Sequence, residues 1–114
     1  MTEEDVATLG PRELSAHYRA LADTTRLRIM RALWQQQNGT VTDLCKELRV
    51  SQPLMSWHLR ILRRAGLVTT HRTGRQVHCR VEPSIIRENG DLLGRFLSSG
   101  TTNEPSYEPA RRTG

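Results

Sequence analysis

Across residues 65–81, AGLVTTHRTGRQVHCRV, the apolar side chains change from a spacing of three or four to strict alternation. Alternating stretches on either side of Thr73 and Gly74 predict a β-hairpin, and Gly66 suits the left-handed stop of a preceding helix. Helical spacing prevails on both sides, so the chain is restricted to a mainly α fold carrying one two-stranded ribbon.

Upstream of the ribbon the pattern predicts four helices. Pro11 opens the first, with Leu14, Tyr18 and Leu21 on one face. Asp23 caps the second, where Leu27, Met30, Leu33 and Trp34 form the apolar stripe, Arg28 and Arg31 point away, and Asn38–Gly39 ends the run. Thr40 with Asp43 three residues on resembles a capping box for a short third helix that buries Val41, Leu44, Cys45 and Leu48. After a break at Arg49 and Val50, Ser51 is a favoured N-cap, and Pro53 falls in the first turn of a fourth helix reaching about Ala65. Pro83 and Ser84 start a fifth, with Ile85, Leu92 and Phe96 on one line and Ile86, Leu93 and Leu97 beside it. The expected organisation is a flexible N-terminus over 1–10, one domain over 11–97 and a disordered polar tail over 98–114. Four helices, a ribbon and a last helix, with a short third and a longer fourth, make an α+β winged helix-turn-helix layout.

Charge says what such a layout meets. The chain carries a formal net charge of +5. Seven arginines (49, 60, 63, 64, 72, 75 and 80) occupy the stretch from Arg49 to Arg80 without a single acid, Glu47 and Glu82 being the nearest carboxylates. An excess of arginine also arises from GC-rich coding, but concentration in one segment favours a face for a polyanion. In a helix-turn-helix the N-terminal residues of the second helix reach base edges. That makes Ser51, Gln52, Pro53, Ser56, Trp57, His58 and Arg60 candidate contacts to double-stranded DNA. Gln pairs with adenine, Ser bonds base or phosphate, and Arg or His meets phosphate or guanine. Arg72, Gly74 and Arg75 at the ribbon tip are candidates for the backbone or minor groove.

Each of these residues has a plainer reading. His58 also fits a satisfied boundary histidine or, less well, a metal ligand, and Trp57 also fits packing against a neighbouring helix. Arg72 and Arg75 also fit an ordinary charged turn. Cys45 and Cys79 lie on apolar faces and read first as small core residues, with redox sensing and metal ligation as alternatives. Their number and spacing argue against a disulfide scaffold or zinc module and suit a reduced, cytoplasmic setting. No apolar run is long enough for a membrane span, and the acidic MTEEDVATLG is unlike a secretory signal. No nucleophile, base and orienting group share a recognisable spacing, so an enzyme is not expected. The rival from another class is a winged-helix module that docks an acidic protein.

Three segments, ALADTTRLRIMRAL, VTDLCKELRVSQPLMSWHLRILRRAGLV and RTGRQVHCRV, resemble the ArsR/SmtB family of winged-helix repressors, a likeness running from about Leu14 to Phe96. The family's Ser-Gln-(Ser or Pro)-x-x-Ser-x-His-Leu-x-x-Leu pattern is met at Ser51, Gln52, Pro53, Ser56, His58, Leu59 and Leu62. The resemblance implies a homodimer packed through its first and last helices, with Leu14, Tyr18, Ile85, Leu92, Leu93 and Phe96 as candidate interface residues. It implies an inverted-repeat operator and release by an inducer, whose identity is unknown. Gly90 and Gly94 depart from a good helix interior and fit either close approach across a dimer or an early helix end. The family's cysteine motif in the third helix is absent, with Thr40 and Thr42 in place of thiolates, and the fifth helix has Glu88 and Asp91 but no histidine. No metal or cofactor is therefore expected. His17 is read as an ordinary surface histidine, although it could meet Glu88 or Asp91 of a partner.

Overall fold

The computed structural model describes residues 3–36 and 39–99. Its elements are α1 (Glu3–Leu21), α2 (Thr24–Gln36), β1 (Gly39–Thr40), α3 (Val41–Leu48), α4 (Gln52–Arg64), β2 (Val68–Thr73), β3 (Gln76–Val81) and α5 (Pro83–Ser98). The expected order is present with one addition, because the two-residue β1 pairs with β3 and makes a three-stranded antiparallel sheet in the order β1-β3-β2.

Helix α1 begins at Glu3 instead of Pro11, so the boundary expected at residue 10 falls within a helix. Proline lacks one N–H and crowds the carbonyl four residues back, which a helix tolerates when packing holds both halves together. Gly10 supplies such packing. A Cβ there would lie 2.9 Å from the Phe96 ring, so the missing side chain lets α5 close onto α1. The tail expected from residue 98 lies, beyond Ser99, outside the described residues.

The caps follow the sequence. The Thr40 hydroxyl accepts the Asp43 N–H at 3.1 Å, and the Ser51 hydroxyl accepts the Leu54 N–H at 3.4 Å. Between α3 and α4 the chain reverses at Arg49, whose φ of 56° makes it the one non-glycine residue with positive φ among those described. Gly66 stops α4 in the left-handed conformation, as its position predicted. In the hairpin Thr73 pairs with Gln76, which puts the turn at Gly74 and Arg75, one residue later than expected. Only Gly74 there has positive φ, the pattern of a type II′ turn, and glycine is the residue that turn demands at its first central position.

The core lies between the helices and the inner face of the sheet. Ile29, Leu33, Leu44, Met55, Leu62, Leu67, Val68 and Cys79 are completely enclosed. On α2, Met30 and Leu33 are inside as predicted, but Leu27 and Trp34 are about half exposed. Leu27 and Trp34 are seven residues apart and share a stripe, which lies beside the buried stripe of Arg26, Ile29, Met30 and Leu33. Arg28 does not point away, since its guanidinium donates to the Leu48 carbonyl at 3.0 Å and closes the end of α3. No helix among the described residues is long and apolar enough to cross a membrane.

Candidate nucleic-acid interface

Helix α4 divides its side chains between two tasks. Met55, Leu59 and Leu62 are buried against the core, while Gln52, Ser56, Arg60 and Arg63 stand on the exposed side. The hairpin runs beside them. Alternation turns Thr70, Arg72 and Val77 toward α4, and a groove of about 310 Å³ opens between the two elements. Its charged lining is four arginines, Arg60 and Arg63 from α4 with Arg72 and Arg75 from the hairpin, and no carboxylate is among them. Gln52 and Ser56 lie in the same groove, between cations on either side.

Most of the residues expected at this site are where DNA could reach them. Ser51, Gln52, Pro53, Ser56, Trp57, Arg60, Arg72, Gly74 and Arg75 are all exposed. Trp57 is not in the groove. It is half exposed on the other flank of α4, with its ring 5.8 Å from the Arg26 guanidinium carbon. Arg63, Thr42 and Thr70 were missed as site residues although they line the groove. Arg63 follows Ser56 by seven residues, two helical turns, and that periodicity could have found it.

His58 must be withdrawn as a DNA contact. It is 4% exposed, and its Nδ1 accepts from the Arg26 guanidinium at 3.2 Å. A guanidinium only donates, so the imidazole is held neutral with its hydrogen on Nε2. Arg26, itself 7% exposed, also donates from Nε to the Ala20 carbonyl at 2.6 Å and from Nη2 to the Arg19 carbonyl at 3.4 Å. Asp23, the α2 cap, accepts the Arg26 backbone N–H at 3.0 Å and lies 4.0 Å from its guanidinium. One arginine thus satisfies the carbonyls ending α1 and braces α4 through His58. The sequence pattern had assigned Arg26 no role.

Burial, together with the Arg26 charge and against the opposing pull of Asp23, holds the His58 pKa below its ordinary value of 6.5. His17 is displaced the same way by burial alone. It is 2% exposed with neither ring nitrogen hydrogen-bonded, which corrects its reading as a surface residue. At mildly acidic pH the unfolded chain takes up protons that the folded chain refuses. The contribution of these groups is therefore present above pH 6.5 and is lost as pH falls through their depressed folded values. Urea unfolding should give a lower stability at pH 5.5 than at pH 7.5, with a smaller difference in His58→Gln. Equal stability at the two pH values would contradict the neutral buried imidazoles.

The cysteines divide. Cys79 is fully buried and its thiol is pushed up to about 11 by that burial, partly opposed by the charge of Arg63. Cys45 is only half-buried, with its thiol also displaced upward by burial. Both rest as thiols, the less reactive form. Among the described residues no three of His, Cys, Asp and Glu converge as a metal site.

The expected dimer residues also separate. Leu14 is 5% exposed inside its own chain and has no surface left for a partner, and Phe96 packs on Gly10 of the same chain. Tyr18 donates to the Asn89 carbonyl at 3.4 Å, and Ile85 packs against the core. Tyr18, Ile85, Leu92, Leu93 and Phe96 remain partly exposed, and Leu97 is 64% exposed. The helix runs through Gly90 and Gly94 to Ser98, so neither glycine ends it, and a Cβ on either would meet nothing within 4 Å.

The chain is similar in sequence and fold to known proteins. A family model described as "Bacterial regulatory protein, arsR family" matches residues 23–70. The chain is 43% identical over 68 residues to the arsenical resistance operon repressor of Escherichia coli (strain K12), a match covering 60% of this chain and 58% of that protein. It therefore spans less than two thirds of that relative's length. Among solved structures it is similar to an ArsR-like transcriptional regulator from Rhodococcus sp. RHA1, with a TM-score of 0.68 and 28% identity over 75% of this chain and 80% of that one. It is also similar to the transcriptional repressor BigR from Xylella fastidiosa, with a TM-score of 0.60 and 27% identity over 84% of this chain and 97% of that one.

Proposed function

Because the chain belongs to the ArsR/SmtB family of winged-helix proteins, we propose that it is a sequence-specific DNA-binding transcriptional repressor. One observation carries this reading most directly: the groove between α4 and the hairpin presents Gln52 and Ser56 between four arginines and, among the described residues, no acid. Arg60, Arg63, Arg72 and Arg75 neutralise phosphates and fix the register, and Gln52 and Ser56 read base edges. Pro53 and Ser51 shape the first turn that delivers them, and Gly74 makes the hairpin tip. Catalysis has no part in this reading, and the repressor relatives are regulators as well.

The repressor works as a homodimer on an inverted repeat, which doubles the contacts and sets the half-site spacing. The apolar side chains of α5 that its own chain leaves partly open, Leu92, Leu93 and Leu97, form the interface with Tyr18 beside them, and Gly90 and Gly94 permit close approach. Release comes from a signal that favours a dimer geometry in which the two recognition helices no longer match successive grooves. With threonines at 40 and 42, that signal does not act through a cysteine metal site in α3.

Gln52→Ala tests base reading directly. It should weaken binding to the duplex upstream of the gene by ~1–3 kcal/mol and leave a scrambled duplex unchanged. Equal losses on both duplexes would contradict it.

A further inference from the structure

A second recess lies where the hairpin meets the end of α2 and the start of α5. Its volume is about 620 Å³, within the range of pockets that enclose small ligands. Alternation separates the two faces: Thr70 and Arg72 look toward α4, whereas Thr69, His71 and Arg80 look into this recess. The recess is therefore outside the groove assigned to DNA. The core residues Leu33 and Val81, the latter on the inward face of β3, back the recess, and the half-exposed indole of Trp34 forms a wall. The rim is cationic, with Arg80 from β3 and Arg87 from α5. Among the described residues neither has a carboxylate within ion-pairing distance. The nearest acid in sequence, Glu82, accepts the Thr69 hydroxyl at 3.1 Å. His71 is also at the rim, stacked on His78 with ring centroids 5.1 Å apart.

We propose that this recess binds a small organic anion, a planar apolar body carrying one carboxylate. Arg80 and Arg87 supply forked donors that match a carboxylate, and the half-exposed Trp34 face takes the planar body. This accounts for two arginines from different elements at one opening, neither of them ion-paired among the described residues. Arg87 and Phe96 are nine residues apart, two and a half turns, so Arg87 is on the opposite side of α5 from the ring that packs on α1. The proposal does not depend on the DNA reading, and its test contains no DNA.

The test is a titration of the isotopically labelled full chain with 2-naphthoate, followed through the two tryptophan indole N–H resonances. The Trp34 resonance should shift and saturate by millimolar ligand while that of Trp57 stays fixed. Arg80→Gln/Arg87→Gln should weaken binding roughly tenfold or more. The neutral isostere 2-naphthamide should bind the wild-type protein as poorly as 2-naphthoate binds that variant, and inorganic phosphate should not move Trp34. Absence of a saturable Trp34 shift, or equal binding of the acid and the amide, would overturn the proposal. Equal binding by the variant would overturn the role of the two arginines, and a comparable response to phosphate would overturn that of the apolar surface.

Discussion

Arg26→Met should destabilise the fold by about 3 kcal/mol, a large share of what a domain of this size has to lose. Methionine nearly fills the volume but donates nothing. The Ala20 carbonyl, bonded at 2.6 Å in the native protein, and His58 Nδ1 would be left buried without a partner, and the end of α1 would keep only Arg19 of its two cations. Arg26→Lys should recover little, because one ammonium cannot meet two carbonyls and an imidazole lying in different directions. Urea unfolding at pH 7.5 reads the difference. A loss below about 0.5 kcal/mol would mean that the network carries no net stability, as many exposed ion pairs do. DNA affinity should fall beyond the loss of folded protein, because His58 is on the recognition helix and Arg26 is its lateral brace.

Arg72→Ala/Arg75→Ala should leave the fold intact, since both side chains are exposed at the hairpin tip, and should weaken DNA binding on the order of 100-fold at moderate salt. The loss should be nearly equal on the preferred duplex and on a scrambled one, because these cations meet phosphates that every sequence shares. A plot of log affinity against log salt should become shallower by about 2, one unit for each lost contact. Fluorescence anisotropy over a salt series measures both quantities. A selective loss on the preferred duplex would move the hairpin from positioning to base or shape readout.

Much of this candidate interface is legible in the sequence, and the residues show why. Ser51, Pro53 and Gly66 are punctuation whose local chemistry fixes where α4 starts and stops. Met55, Leu59 and Leu62 against Gln52, Ser56 and Arg60 is a periodic contrast that a helix converts directly into inside and outside. Misreadings occurred where tertiary contacts decide. His58 is polar by composition, and only the arrival of Arg26 from another helix makes its burial tolerable. Trp34 and Leu27 follow the helical spacing, but what the sheet and α5 cover is not written in α2. Pro11 reads as a helix start, but α1 runs through it from Glu3, and α5 closes onto the same turn through Phe96 on Gly10. Strand β1, two residues long, is below what alternation can signal.

The most direct measurement is equilibrium binding of the full chain to the duplex from upstream of its own gene and to a scrambled duplex of equal length, across a range of salt. An arginine-lined groove that also reads bases predicts a preference of about 10³-fold or more for the upstream duplex, with both affinities falling steeply as salt rises. Equal affinity for the two duplexes, or binding indifferent to salt, would contradict it.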